Sequence, residues 1–198
     1  MLFVALIFLV LLTLLGLTAS GTSVMQERMT GGMRSAQMAL MGSESALRGA
    51  EFNIWLAPQT SASANKLTLY CSSDGSGGCY APDQTGNYAA STATFDTATT
   101  WTSTGSDGGT AYAPSLTGLS GAAQSASLAA QPQYLIRLIG PDLPPGSSGQ
   151  VVGSNQQQNG GNNNMTKYIY TITARGAGGS TNTVRVVQST FAAVLAQY

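Results

Sequence analysis

The side chains able to do chemistry are few and scattered. There is no histidine, so a Ser-His-Asp or Cys-His relay cannot be built. Paired carboxylates can cleave glycosides, but Asp74, Asp83, Asp96 and Asp107 each stand among turn-forming residues, where a carboxylate caps local backbone. Asp74-Gly75-Ser76-Gly77 and Asp107-Gly108-Gly109 faintly suggest calcium loops but lack the ligand spacing of an EF-hand. Asn164-Met165-Thr166 fits the N-glycosylation sequon, a short pattern common by chance. Met25, Met29, Met33, Met38 and Met41 read as adaptable packing surface rather than a copper site, because the thioether fills irregular gaps. No reaction is assigned, and no cofactor or metal is expected.

Cys71 and Cys79 are the two cysteines, joined by a Gly/Ser-rich stretch that can bend back on itself. They read as a disulfide, hence an oxidising compartment. Two free thiols are the competing reading. A metal pair is weaker, because two Cys without His supply too few soft ligands.

The elements that carry these residues begin with an apolar N-terminus. Residues 1–19 hold no charge, and the first charge is Glu27. A run of this length spans a bilayer as a helix. It has no basic region before it, as a secretory signal does, which suggests that a charged leader has been removed. From Met25 the pattern turns amphipathic. Met25, Met29, Ala36, Leu40, Leu47, Ala50 and Ile54 recur at helical spacing. Met25, Met29, Leu40, Leu47 and Ile54 are the residues expected to pack on a head. Glu27, Arg34, Glu44, Arg48 and Glu51 are expected on the opposite side. Gly31-Gly32 is a weak point at about 1 kcal/mol per glycine, read as a bend or local loosening. Pro58 ends the pattern. One helix over residues 1–56 would be about 84 Å long. Its first half needs lipid or other helices on every side, and its second half needs a head on one side.

Residues 57–132 are the least readable. Lys66–Tyr70 suggests a short strand, Ser120–Ala130 a helix, and Tyr80, Tyr88, Phe95, Trp101 and Tyr112 are the aromatic anchors. A disordered linker is the competing reading, given the small-residue bias. The C-terminal third is clearer. Gln133–Ile139 reads as a strand stopped by Gly140-Pro141, and residues 140–164 as a long loop. Thr166–Ala174 and Thr183–Phe191 form an antiparallel hairpin about a turn at Arg175–Ser180. The expected fold class is α+β. Residues 1–24 form an apolar transmembrane or filament-core helix, 25–56 an amphipathic helix, and 57–198 an extracellular head with its sheet mainly in 133–191.

Charge bounds the partners. The 198-residue chain has 8 basic and 8 acidic residues, a net charge of zero. A nucleic-acid partner needs a clustered basic surface and is not expected. Charged residues are 8% of the chain, against about 25% in ordinary soluble proteins. Such a surface repels copies of itself weakly, which suits a subunit that packs against others.

Several stretches together resemble the PilX group of type IV minor pilins. They are Leu2-Phe3-Val4-Ala5-Leu6-Ile7-Phe8-Leu9, Leu11–Gly16, Gln26-Glu27-Arg28-Met29, Ser43–Glu51, and Tyr170–Gly179 followed by Val187-Gln188-Ser189-Thr190. The resemblance covers about residues 1–55 and 166–191 and implies a type IV pilin-like fold. It also implies cleavage after a glycine, Met1 as the processed and methylated N-terminus, and passage from the inner membrane into an extracellular helical filament. Leu2, Phe3, Leu6, Ile7, Leu9, Val10 and Leu14 would then lie in the membrane or filament core. Partners would be other pilins or copies of this chain, with a tip adhesin as a further candidate.

Most pilins carry glutamate at the fifth processed position; here it is Ala5. A buried α-ammonium is costly unless paired, and that glutamate is thought to pair with the amine of the subunit above. A subunit with nothing above needs no such acid, so Ala5 resembles tip-capping subunits and serves as the tip marker. The alternatives are a main subunit of a homopolymeric filament and a membrane-anchored periplasmic binding module. A processed, methylated Met1 separates the pilin readings from the last.

Overall fold

The structure, a computed structural model, describes residues 1–56, 70–97, 99–101, 109–142 and 167–194. Helix α1 runs without a break from Leu2 to Leu56, about 82 Å at the ordinary helical rise. Gly31-Gly32 does not interrupt it: residues 25–41 are helical throughout. Beyond Leu56, the stop at Pro58 and all but Tyr70 of the strand expected at Lys66–Tyr70 lie outside the described residues.

The head is one mixed, mostly antiparallel sheet, as the α+β reading expects. Its strands are β1 (Tyr70–Ser72), β2 (Gly78–Tyr80), β3 (Thr110–Ala111), β4 (Gln133–Pro141), β5 (Lys167–Ala177) and β6 (Val184–Val194). The spatial order is β1-β2-β4-β5-β6, with β3 against the start of β4. β4 and β5 pair antiparallel with a bulge between Leu138 and Gly140. β5 and β6 pair antiparallel from Lys167↔Val194 to Ala177↔Val184 without a register shift. β1 and β2 run parallel, although a parallel pair normally needs a connection of a dozen or more residues. Here the chain doubles back within residues 73–77, using left-handed backbone at Gly75 (φ 74°) and Gly78 (φ 82°).

Each face of the sheet carries its own layer. On one face α1 covers Ile136, Tyr170 and Ile172 through Ala50 and Ile54, with Cys79 in the same cluster. Burial pushes the Tyr170 hydroxyl up to about 12, with the neighbouring Tyr168 adding to it. On the other face the short helix α2 (Ala90–Thr97) lays Phe95 over Tyr80 and Leu135. The helix expected at Ser120–Ala130 is instead a single 3-10 turn at Gly121–Ser125, followed by left-handed Ala126 and Ser127. The left-handed backbone at Ala126 and Ser127 ends the turn before an α-helix can propagate. The hairpin turn is also shorter than expected, because β5 continues through Arg175-Gly176-Ala177.

Cys71 and Cys79 are bonded to each other, with Cα atoms 4.4 Å apart. Cys79 is fully buried and Cys71 partly so, so the bridge pins β1 and the 73–77 loop to the core. Thermal melts with and without reductant should differ by about 2–3 kcal/mol, the chain-entropy value for so short a loop. Identical melts, or alkylation of both thiols in the native protein, would remove this role.

Candidate functional site

The exposed apolar length of α1 is the feature the fold leaves unfinished. From Met1 to Arg34 every residue is exposed. Leu2, Phe3, Leu6, Ile7, Leu9, Val10 and Leu14 are all uncovered. Among the described residues this is the one helix long and apolar enough to cross a membrane. Its best 18-residue window has mean hydropathy 2.8 with none of it buried in the head. The threonine hydroxyls in the span are satisfied within the helix. Thr13 donates to the Val10 carbonyl at 2.8 Å, Thr18 to Leu15 at 3.0 Å and Thr22 to Ala19 at 2.9 Å. Hydrocarbon or a packed helix core can therefore surround the span without stranding these threonines. A Cβ at Gly16, Gly21, Gly31 or Gly32 would meet nothing within 4 Å, so these positions let another backbone come close.

The head takes hold of α1 at Ser35, whose hydroxyl accepts the Gly179 N–H at 3.2 Å. From there the buried face is Ala39, Gly42, Ser43, Ala46, Ala50 and Ile54. This corrects the expected packing stripe. Ile54 is buried at 1% exposure and Leu47 is half-buried against the same cluster. Met25 and Met29 lie before the head begins and are 74% and 63% exposed; Leu40 is 41% exposed on the flank. The physical reason is distance. The β5 backbone runs so close under α1 that a Cβ at Gly176 would strike the Ala39 carbonyl and come within 2.7 Å of the Ser43 nitrogen. Only small residues fit above such a strand, and the larger apolar ones are turned aside. Glu51, expected on the solvent side, accepts a hydrogen bond from the Ser189 hydroxyl at 2.7 Å.

Asp74 and Asp83 are engaged by neighbouring loop residues. Asp74 accepts the Ser76 N–H at 3.1 Å. Its carboxyl is held at about 2 by the Ser72 hydroxyl first and then the Ser76 backbone, so it stays charged at any physiological pH. Asp83 accepts from Thr85 N–H, Thr85 hydroxyl and Asn87 N–H at 2.9, 2.6 and 2.8 Å, which holds its carboxyl below the usual range, the Thr85 side chain first. Asp96 pairs with Arg137 at 2.8 Å. No group of three metal-capable side chains forms among the described residues. Asp107, its glycine turn at Gly108 and the Asn164–Thr166 sequon lie outside them.

Arg175 was legible only as a turn residue. It is fully buried, with its guanidinium 4.9 Å from the Phe95 ring centre and 5.4 Å from that of Trp101. Its Nη2 donates to the Thr100 carbonyl at 3.1 Å. The period-two pattern of β5, extended past Ala174, is the signal that places it on the α2 side. Arg175→Lys keeps the charge but loses the planar stack. It should destabilise the head by about 1–2 kcal/mol, read as a lower denaturation midpoint with α1 still docked. An unchanged midpoint would show that the stack contributes nothing.

Two family models match the chain. One, described as "Type IV pilus assembly protein PilX C-term", covers residues 70–193. The other, "PilX N-terminal", covers residues 1–48. No curated protein and no solved structure matches.

Proposed function

We infer the function from one premise: the chain belongs to the PilX family of type IV pilus assembly proteins. That family is structural rather than enzymatic, and an apolar, uncovered N-terminal helix fits membrane anchoring followed by incorporation into a pilus. Within that role we propose a minor pilin that primes or caps the filament tip. The span is held in the inner membrane before assembly and among the helices of other pilins afterwards, with the head outside the cell.

Ala5 carries the tip reading. With Met1 as the processed N-terminus, Ala5 stands where an acid would neutralise the amine of a subunit above. It lies on the exposed surface of α1, so its side chain is free to meet a neighbour in a packed helix layer. Two measurements on purified pili test the proposal. The chain should be present far below the stoichiometry of the main subunit, and its N-terminal peptide should begin at a methylated Met1. Cells lacking it should make fewer pili of ordinary length, because a primer acts at initiation. A chain dominating the filament would make it the main subunit. An unprocessed N-terminus with no filament association would leave a membrane-anchored binding module.

A further inference from the structure

β6 is a terminal strand of the sheet. All of its 11 residues pair with β5, and among the described residues no strand pairs with its other side. Such an edge offers a row of backbone donors and acceptors, which natural proteins usually guard by shortness, bulges, Lys or Pro. β6 (VRVVQSTFAAV) is long, unbulged and free of Lys and Pro, with Arg185 as its charge. The opposite edge, β1, is 3 residues long and closed by the disulfide.

Helix α1 overhangs this open edge. At about 100° per residue, Met29, Met33, Leu40, Leu47 and Glu51 share one flank, and the Glu51–Ser189 bond sets that flank over β6. Met29, Met33 and Leu40 are exposed there. Met29 and Met33 lie above the head and Leu40 is level with the start of β6; further along, beside Leu47 and Glu51, Val187, Ser189, Phe191 and Ala193 are half-buried, whereas Tyr170 and Ile172 of β5 are buried. The layer between helix and sheet thins over β6, where Phe191 and Ala193 form its margin.

We propose that a strand from a different subunit of the same pilus adds to β6 and fills this ledge; the inference rests on the pilus reading above. The exposed flank leads along α1 into the apolar N-terminal span, so a subunit that covers one reaches the other. A second copy does not fit. Antiparallel pairing of two β6 strands sets a two-fold axis normal to the sheet and points the two N-terminal spans in opposite directions, which one membrane forbids. Parallel pairing puts the two helices on opposite faces and brings the exposed Gln188, Thr190 and Ala192 of one copy under the apolar flank of the other. The fitting strand alternates apolar residues toward Leu40 with polar residues outward. It also carries a basic residue at its rim, facing exposed Glu44.

A photo-reactive phenylalanine placed at Thr190 of the full chain, in cells making pili, tests this, with the same probe at Val10 as reference. Thr190 should cross-link to an extended head segment of a different pilin, and Val10 to a pilin helix. Leu40→Lys should reduce the Thr190 product about tenfold, because an added strand would bury the charge, and leave the Val10 product unchanged. Cross-links within the same chain, to a second copy, or to another subunit's N-terminal helix would overturn the strand proposal. So would no Thr190 product while Val10 still cross-links. Loss of pilin products at Val10 itself would overturn the pilus reading, and the strand proposal with it.

Discussion

Alanine at Gly176 is expected to loosen α1 from the sheet and to lower the melting temperature of the head by about 6–12 °C. The backbone there is one any residue adopts, so space alone decides. The added methyl would strike the Ala39 carbonyl and the Ser43 nitrogen, both main-chain atoms of a regular helix that cannot rotate away. Overpacking a close-packed core costs about 1–3 kcal/mol, and more where backbone must move. At about 2–4 °C per kcal/mol for a chain of this size, a cost near 3 kcal/mol gives the stated shift. Two controls separate this from a general glycine effect. At Gly42 the nearest atoms are Leu128 Cδ1 at 2.8 Å and Pro132 Cγ at 3.3 Å, and Leu128 can rotate, so Gly42→Ala should be milder. At Gly179 the nearest atom is Ser35 Oγ at 4.0 Å, so Gly179→Ala should be near neutral. Hydrogen exchange at residues 39–46 should accelerate in Gly176→Ala alone. Three indistinguishable melts would mean that the close approach does not hold helix to head.

The same contact explains what could and could not be read from the sequence. That α1 exists was legible, because an uninterrupted apolar run joined in phase to an amphipathic stripe leaves few other solutions. Which face meets the head was not. Hydrophobicity ranks Met25, Met29 and Leu40 above Ala39, Gly42 and Ser43, but the deciding quantity is how near a strand backbone can pass, and that selects small side chains. Gly176 misled for the same reason. Beside Gly178 and Gly179 it resembles a turn, yet it is a strand position kept bare for a helix. The Cys71–Cys79 bond followed from two cysteines flanking a Gly/Ser loop. The parallel pairing of β1 and β2 did not, since parallel neighbours are ordinarily distant in sequence. Phe95 was recognised as an anchor, but its helix α2 is a run of Ala, Ser and Thr with little intrinsic signal, held by Phe95 and by the Asp96–Arg137 pair.

Substituting Glu for Ala5 tests the proposed tip position with the largest expected effect on assembly. In ordinary pilins such an acid meets an α-ammonium from the subunit above. At a tip nothing lies above, so the new carboxylate enters an apolar helix layer without a partner. An acid placed at the centre of an apolar span costs about 3 kcal/mol, and protonation relieves only part of that because raising the pKa itself takes free energy. At about 1.4 kcal/mol per tenfold, incorporation at the tip should fall on the order of a hundredfold. Insertion in the membrane before assembly should change much less, because residue 5 then sits near the polar interface, where charge is tolerated. The expected pattern is therefore normal levels of membrane-bound protein, few pili, and ordinary length in those that form. A shaft subunit behaves in the opposite way: an acid restored at position 5 would pair with the amine above it and leave assembly unchanged or improved. Ala5→Glu that assembles as well as the parent, or filaments carrying this chain at regular axial spacing, would end the tip proposal. The low charge of the head would then be explained by head-to-head packing along the shaft.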